Sequence, residues 1–192
     1  MNFVSATLLL GVSLTMASCG QRTPTSPTAP SPNAGTASET PEIPGWPASN
    51  AQPRLPTLKL LIGNQVVNAE LCRQPLEIMT GMMFRTNIAE DEGMLFALPV
   101  SQQTSFYMKN TLVPLTAAYI DPEGRILELH DLEPLNEKAV PSRSYRILYV
   151  LEMKQGWFAR KGVVPGTIIV TEQGPLKDTV RFMGTYTEEH VK

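Results

Sequence analysis

The chain is poor in the residues on which reactive and metal-binding sites draw. Its 192 residues include two cysteines, Cys19 and Cys72, and two histidines, His130 and His190. Two cysteines cannot furnish a four-cysteine zinc site or a disulfide scaffold, and no metal site is expected from so few soft ligands. Charge of one sign is scarce too: 16 Lys plus Arg stand against 18 Asp plus Glu, a formal net charge of -2. That balance supplies no broad basic face for a phosphate backbone and argues against nucleic-acid binding. No glycine-rich phosphate loop, HExxH or GxSxG sequence occurs, so neither a cofactor nor a catalytic residue is expected. No internal repeat is visible.

What is present falls into segments. Residues 1–18 carry no charged side chain, and Leu8-Leu9-Leu10 through Leu14 form an apolar run too short to span a bilayer. The run ends in Leu14-Thr15-Met16-Ala17-Ser18-Cys19-Gly20. It resembles a bacterial lipoprotein signal, in which a peptidase cuts before the cysteine and the thiol receives diacylglycerol. By that resemblance residues 1–18 are a signal peptide and Cys19 is the lipidated first residue of a protein anchored in the cell envelope; the alternatives are an ordinary secreted protein cut near Ala17 or a retained N-terminal anchor. Acyl chains bury about 0.8 kcal/mol per methylene, enough to hold a domain on a membrane without a transmembrane helix.

Residues 19–56 read as the lipidated cysteine and a linker. Nine of the 17 prolines and only four charges fall between Gln21 and Pro56, a composition that favours extended polyproline II and cannot bury a core. Ile43 and Trp46, large apolar residues near its end, either dock on the domain surface or serve as a short recognition motif; the alternative is a solvated linker.

From residue 57 to 184 the pattern is that of one β-rich domain, followed by a polar tail, 185–192. Leu58, Leu60 and Ile62 alternate, as do Val67, Ala69 and Leu71, and Gly63-Asn64 between them predicts a hairpin. Pro75 opens a helix predicted to run to about Phe84, with Leu76, Met79 and Met83 at core-facing spacing. Strands are predicted over 93–98, 104–108, 115–120, 125–132, 146–153 and 167–171, with a second helix over 156–161. Asp121-Pro122-Glu123-Gly124 has the composition of a type I turn. The fold class expected is mainly β (α+β): a compact barrel-like or rolled antiparallel sheet with two short helices.

Isolated constellations offer little chemistry. Cys72 is the only thiol beyond Cys19, and His130 is the only histidine outside the tail, so a nucleophile would have to be built from that pair. Glu90-Asp91-Glu92 places three carboxylates in a row without the alternation of a calcium loop, and reads as a solvated turn with one acid paired to Arg85. The segment Phe106 to Leu115 runs an apolar strand into Lys109-Asn110-Thr111, a polar junction that caps a turn or edges a small pocket.

Gly81-Met82-Met83-Phe84-Arg85, Glu92-Gly93-Met94-Leu95-Phe96, Phe106-Tyr107-Met108-Lys109-Asn110-Thr111 with Pro114-Leu115, and Val150-Leu151-Glu152 with Gly156 occur in that order. Together they resemble the signature blocks of the family called domain of unknown function 192. The family's usual pattern differs at four places: Trp where Tyr107 stands, Leu for Met82, and Asp for Thr116 and Thr167. The resemblance implies a small β-rich domain, often exported or membrane-tethered.

If these blocks share a site, its ligand-binding residues are expected to be Arg85, Glu92, Tyr107, Lys109, Asn110, Thr111 and Glu152, meeting at one rim of the sheet. Arg85 would hold a carboxylate or phosphate and Tyr107 would stack on a sugar. The alternative is an ion-paired rim, Arg85 to Glu92 and Lys109 to Glu152. The function expected is a membrane-tethered module that binds a small molecule, a glycan or an envelope protein. The alternatives are a structural or assembly accessory of the envelope, or a hydrolase.

Overall fold

The structure, a computed structural model, describes residues 45–184. The signal-like segment, Cys19, Ile43 and the polar tail lie outside the described residues.

Thr57–Ile62 (β1) and Gln65–Cys72 (β2) form the expected antiparallel hairpin, in register from Thr57 opposite Glu70 to Ile62 opposite Gln65. Gly63 between them has φ of 58°, the left-handed conformation that two-residue hairpin turns demand. Pro75–Thr80 (α1) follows. The Glu77 carboxylate accepts from the Arg73 and Gln74 amides at 2.8 and 3.0 Å, satisfying donors that a helix start leaves free. The helix stops at Gly81, short of the predicted Phe84, where φ reaches 47° and a Cβ would lie 3.3 Å from the Phe96 ring.

Glu92–Gln102 (β3), Ser105–Phe106 (β4), Leu115–Ile120 (β5), Ile126–Leu132 (β6), Val140–Pro141 (β7) and Ile147–Lys154 (β8) come next. Trp157–Arg160 (α2), Ile169–Thr171 (β9), Gly174–Pro175 (β10) and Leu176–Thr179 (α3) complete the described domain. The turn at Asp121–Gly124 closes as predicted: the Gly124 amide donates to the Asp121 carbonyl, and Asp121 Oδ1 accepts from the Glu123 and Arg125 amides.

The domain is mainly β, as the alternating pattern predicts. Eight strands make one sheet in the order β10-β9-β1-β2-β3-β8-β5-β6, and β4 pairs with β7 apart from it. The sheet is mixed, because β2 and β3 run parallel from Asn68 opposite Glu92 to Cys72 opposite Phe96. Parallel neighbours need a crossover, and residues 73–91, with α1, provide it. A third helix, α3, joins the predicted two.

No closed barrel forms among the described residues. The residue before β6 and the residue before β9 meet at an isolated bridge between Arg125 and Ile168, and buried side chains collect in two clusters. One gathers Leu60, Ile62, Leu95, Leu151 and Trp157. The other gathers Cys72, Met94, Phe96, Tyr119 and Val150. Strand β5 is buried at every position, and β3 and β8 at most of theirs. Strands covered on both faces read as near-continuous apolar runs, and 115–120 and 147–153 are such runs, interrupted only by Thr116 and Glu152.

The end of the proline-rich stretch belongs to the fold. Gln52 Nε2 donates to the Glu77 and Gly81 carbonyls at 3.2 and 2.9 Å, covering the carbonyls that the end of α1 leaves open. Leu55 packs against the second cluster, and the Leu71 amide donates to the Pro56 carbonyl.

Candidate functional site

Residues from each of the four motif blocks line one pocket of about 260 Å³. Helix α1 and its exit turn supply Thr80, Met82 and Met83, β3 supplies Phe96, the chain around β4 supplies Phe106, Tyr107 and Thr111, and β8 supplies Glu152. Phe96 and Phe106 meet edge to face with centroids 5.0 Å apart, so the aromatic side of the pocket is a packed pair rather than two loose rings.

Glu152 is the unusual member. It sits in the middle of a central strand, opposite Met94 of β3 and Ala117 of β5, and is 4% exposed. Its carboxyl has no hydrogen-bond or ion-pair partner among the described residues, and burial alone pushes its pKa up to about 8. At neutral pH it is therefore largely a neutral acid. Cys72 and Tyr119 share its surroundings; burial raises both well above their ordinary values, with the Glu152 charge adding to each.

The other polar groups at the pocket have local duties. The Thr111 amide donates to the Met108 carbonyl and its hydroxyl to the Lys109 carbonyl, which closes the turn that sets Tyr107 at the mouth. Asn110 holds φ of 53° in that turn, a conformation that asparagine tolerates better than most residues.

The structure divides the residues singled out in the sequence into three places. Tyr107, Thr111 and Glu152 line the pocket. Lys109 and Asn110 belong to the adjoining turn, where Lys109 Nζ lies 3.9 Å from Glu137, not against Glu152. Arg85 and Glu92 join a separate charged cluster centred on Glu70. There Arg85 Nη2 reaches Glu70 Oε2 at 3.0 Å, Arg54 Nη1 reaches Glu70 Oε1 at 2.6 Å, and the Leu55 amide donates to Oε2 at 2.8 Å. Glu92 lies 3.7 Å from Arg54 and accepts from the Ala89 amide. The expected Arg85–Glu92 and Lys109–Glu152 pairs are thus replaced by Arg85–Glu70 and Lys109–Glu137.

The remaining constellations resolve structurally. Glu90 takes a bidentate bond from Arg160, not from Arg85. No group of three or more metal-binding side chains occurs among the described residues. Cys72 is a buried free thiol, while His130 Nε2 is engaged with Glu128 at 2.9 Å. Four inter-strand steps of about 4.8 Å separate β2 from β6, so the two do not form a nucleophile and base. Thr116, where the family pattern has Asp, donates to Asp131 and accepts from the Gly156 amide.

Sequence reasoning missed Thr80, Met82 and Phe96 as pocket residues, and Glu70 as an ion-pair hub. The signals were present: a methionine stripe read as core, and glutamates inside the apolar runs 67–72 and 150–153.

The family model DUF192, described as "Uncharacterized ACR", matches residues 58–171. No curated protein matches the chain. Among solved structures, the chain is similar to a protein named as a candidate transcription regulator from Sinorhizobium meliloti 1021. The two are 28% identical with a TM-score of 0.60, over 62% of this chain and 97% of that one. It is also similar to a protein of unknown function from Novosphingobium aromaticivorans DSM 12444, at 30% identity and a TM-score of 0.57, over 60% of this chain and 85% of that one.

Proposed function

The chain belongs to the DUF192 family, and we propose that it is a membrane-tethered module that binds a small, largely apolar molecule in the pocket above Glu152. The observation that carries this reading is the buried carboxyl, without a protein partner among the described residues, at a cavity lined by Met82, Met83, Phe96 and Phe106 and by the hydroxyl-bearing Thr80 and Thr111. A polar group kept in an apolar site without a partner costs stability, and a ligand that pairs with it recovers that cost. A pocket of about 260 Å³ that mixes apolar walls with a carboxyl and several hydroxyls suits a compact amphiphile.

The tether rests on the sequence. Small residues Ala17-Ser18 precede Cys19 after an uncharged apolar run, and a proline-rich spacer of up to roughly 110 Å follows. Among the described residues no helix is long and apolar enough to cross a membrane; in this reading the anchor is a lipid on Cys19.

Native mass spectrometry of the full chain, with a thermal-shift series of small alkyl and aryl compounds, tests the pocket. A bound mass or saturable shift that Met82→Trp abolishes is the expected result. Shifts that survive in a folded Met82→Trp variant would place binding elsewhere.

A further inference from the structure

Resting on that reading of the pocket, we infer that the ligand is a small organic amine, an ammonium head on an apolar body, with its charge seated on the Glu152 carboxylate. The pocket's lining contains one carboxyl, Glu152, and no lysine, arginine or histidine. Lys109 and Arg85, the cations in the same motif blocks, pair with Glu137 and Glu70 instead. An anionic ligand would carry its own charge into a pocket whose lining holds no cation to offset it. A neutral apolar ligand would leave the carboxyl unpartnered. An ammonium group carries three donors and a positive charge, which the Glu152 carboxylate can accept in a pocket whose lining also includes the hydroxyl-bearing Thr80 and Thr111.

The walls suit the same head group and body. The Phe96 and Phe106 rings offer the quadrupole that attracts cations, and the methionines of the exit turn are polarizable and adapt to an alkyl or aryl chain. At about 30 Å³ per water-sized group, a cavity of about 260 Å³ holds roughly nine non-hydrogen atoms.

Binding then exchanges one positive charge for another. The free carboxyl holds its proton near neutrality, and the ammonium enters as that proton leaves for solvent. The titratable groups that share the Glu152 environment, Cys72 on β2 and Tyr119 on β5, are both raised by burial. They stay neutral, so a single proton is released.

Isothermal titration of the full chain with heptylamine, heptanol and hexanoate, three probes of matched size, tests this. The expected order is heptylamine well ahead of heptanol, with hexanoate silent. Buffers of different ionisation enthalpy should report close to one proton released at pH 7, and affinity for the amine should fall about tenfold between pH 7 and 6. The isosteric Glu152→Gln variant should lose the amine preference and the pH dependence together. Heptanol binding as tightly as heptylamine, or amine binding indifferent to pH, overturns the amine assignment while leaving the pocket reading intact. If none of the probes binds to the folded chain, the pocket reading itself fails.

Discussion

The amide of Phe84 donates to the carbonyl of Asn110 at 2.7 Å, and both residues have positive φ, 61° and 53°. This one bond joins the turn after α1 to the turn after β4, the two walls of the pocket. Each wall is therefore held in a backbone conformation that ordinary side chains resist.

Asparagine suits such a position, alanine does not, and glycine has no Cβ to object. Asn110→Ala should lower stability by about 1 kcal/mol in urea unfolding, whereas Asn110→Gly should stay within a few tenths. Equal losses in both variants would show that the Asn110 side chain, not its backbone, holds the turn.

Glu152 gives stability an unusual pH dependence. Its carboxyl ionises near 4.5 when unfolded and near about 8 when folded, so the folded state binds the proton more tightly. The resulting stability is fully present below about pH 4.5 and is lost as pH rises through 8, at up to about 1.4 kcal/mol per pH unit between. Glu128 acts in the opposite sense. Burial works to raise it, but the Arg143 and Ser144 amides and His130 hold it below the usual carboxylate range, so its contribution disappears on acidification. Thermal midpoints should fall from pH 5 to 8 in the native chain and stay flatter in Glu152→Gln. Parallel curves would remove Glu152 as the cause.

The Glu70 cluster should prove lopsided. Arg85 and Glu70 are nearly buried, with side chains 11% and 5% exposed, while Arg54 is 61% exposed. Glu70→Gln strands the Arg85 charge and should cost about 3 kcal/mol. Arg54→Ala should cost no more than about 1 kcal/mol. Chemical denaturation of the two variants compares them directly.

Gly93 sets the spacing between β3 and β8. A Cβ there would lie 2.5 Å from Met153 Sδ and 2.9 Å from the Glu152 carbonyl oxygen. Gly93→Ala should destabilise by about 1–3 kcal/mol and weaken ligand binding by shifting β8 beneath the pocket. Full stability in that variant would mean the strands can part without cost.

The proposed lipidation of Cys19 has a simple readout. Cys19→Ser should move the protein from the membrane pellet to the soluble fraction after washing with carbonate; continued pelleting would exclude lipid on that thiol as the anchor.

Much of this fold was readable from local chemistry. Alternation with Gly63-Asn64 marks the first hairpin, and Asp121 to Gly124 marks the turn between β5 and β6. The parallel pairing of β2 with β3 was not readable, because nothing within either strand records the direction of its neighbour. Gly174–Pro175 and Leu176–Thr179 were too short to leave a periodicity. The site was legible in its parts and not in its assembly: Glu152 stood out as a candidate, but its assigned partner Lys109 points to Glu137 instead. The methionines that wall the pocket look the same in sequence as methionines that fill a core.

The most direct test is a carbon-13 titration of the Glu152 side-chain carboxyl in the full chain, free and saturated with heptylamine. The account predicts a midpoint near about 8 in the free protein and a marked fall once the ammonium is bound. A free-protein midpoint near 4.5 would mean the carboxyl already has water or a protein partner, and would contradict the account.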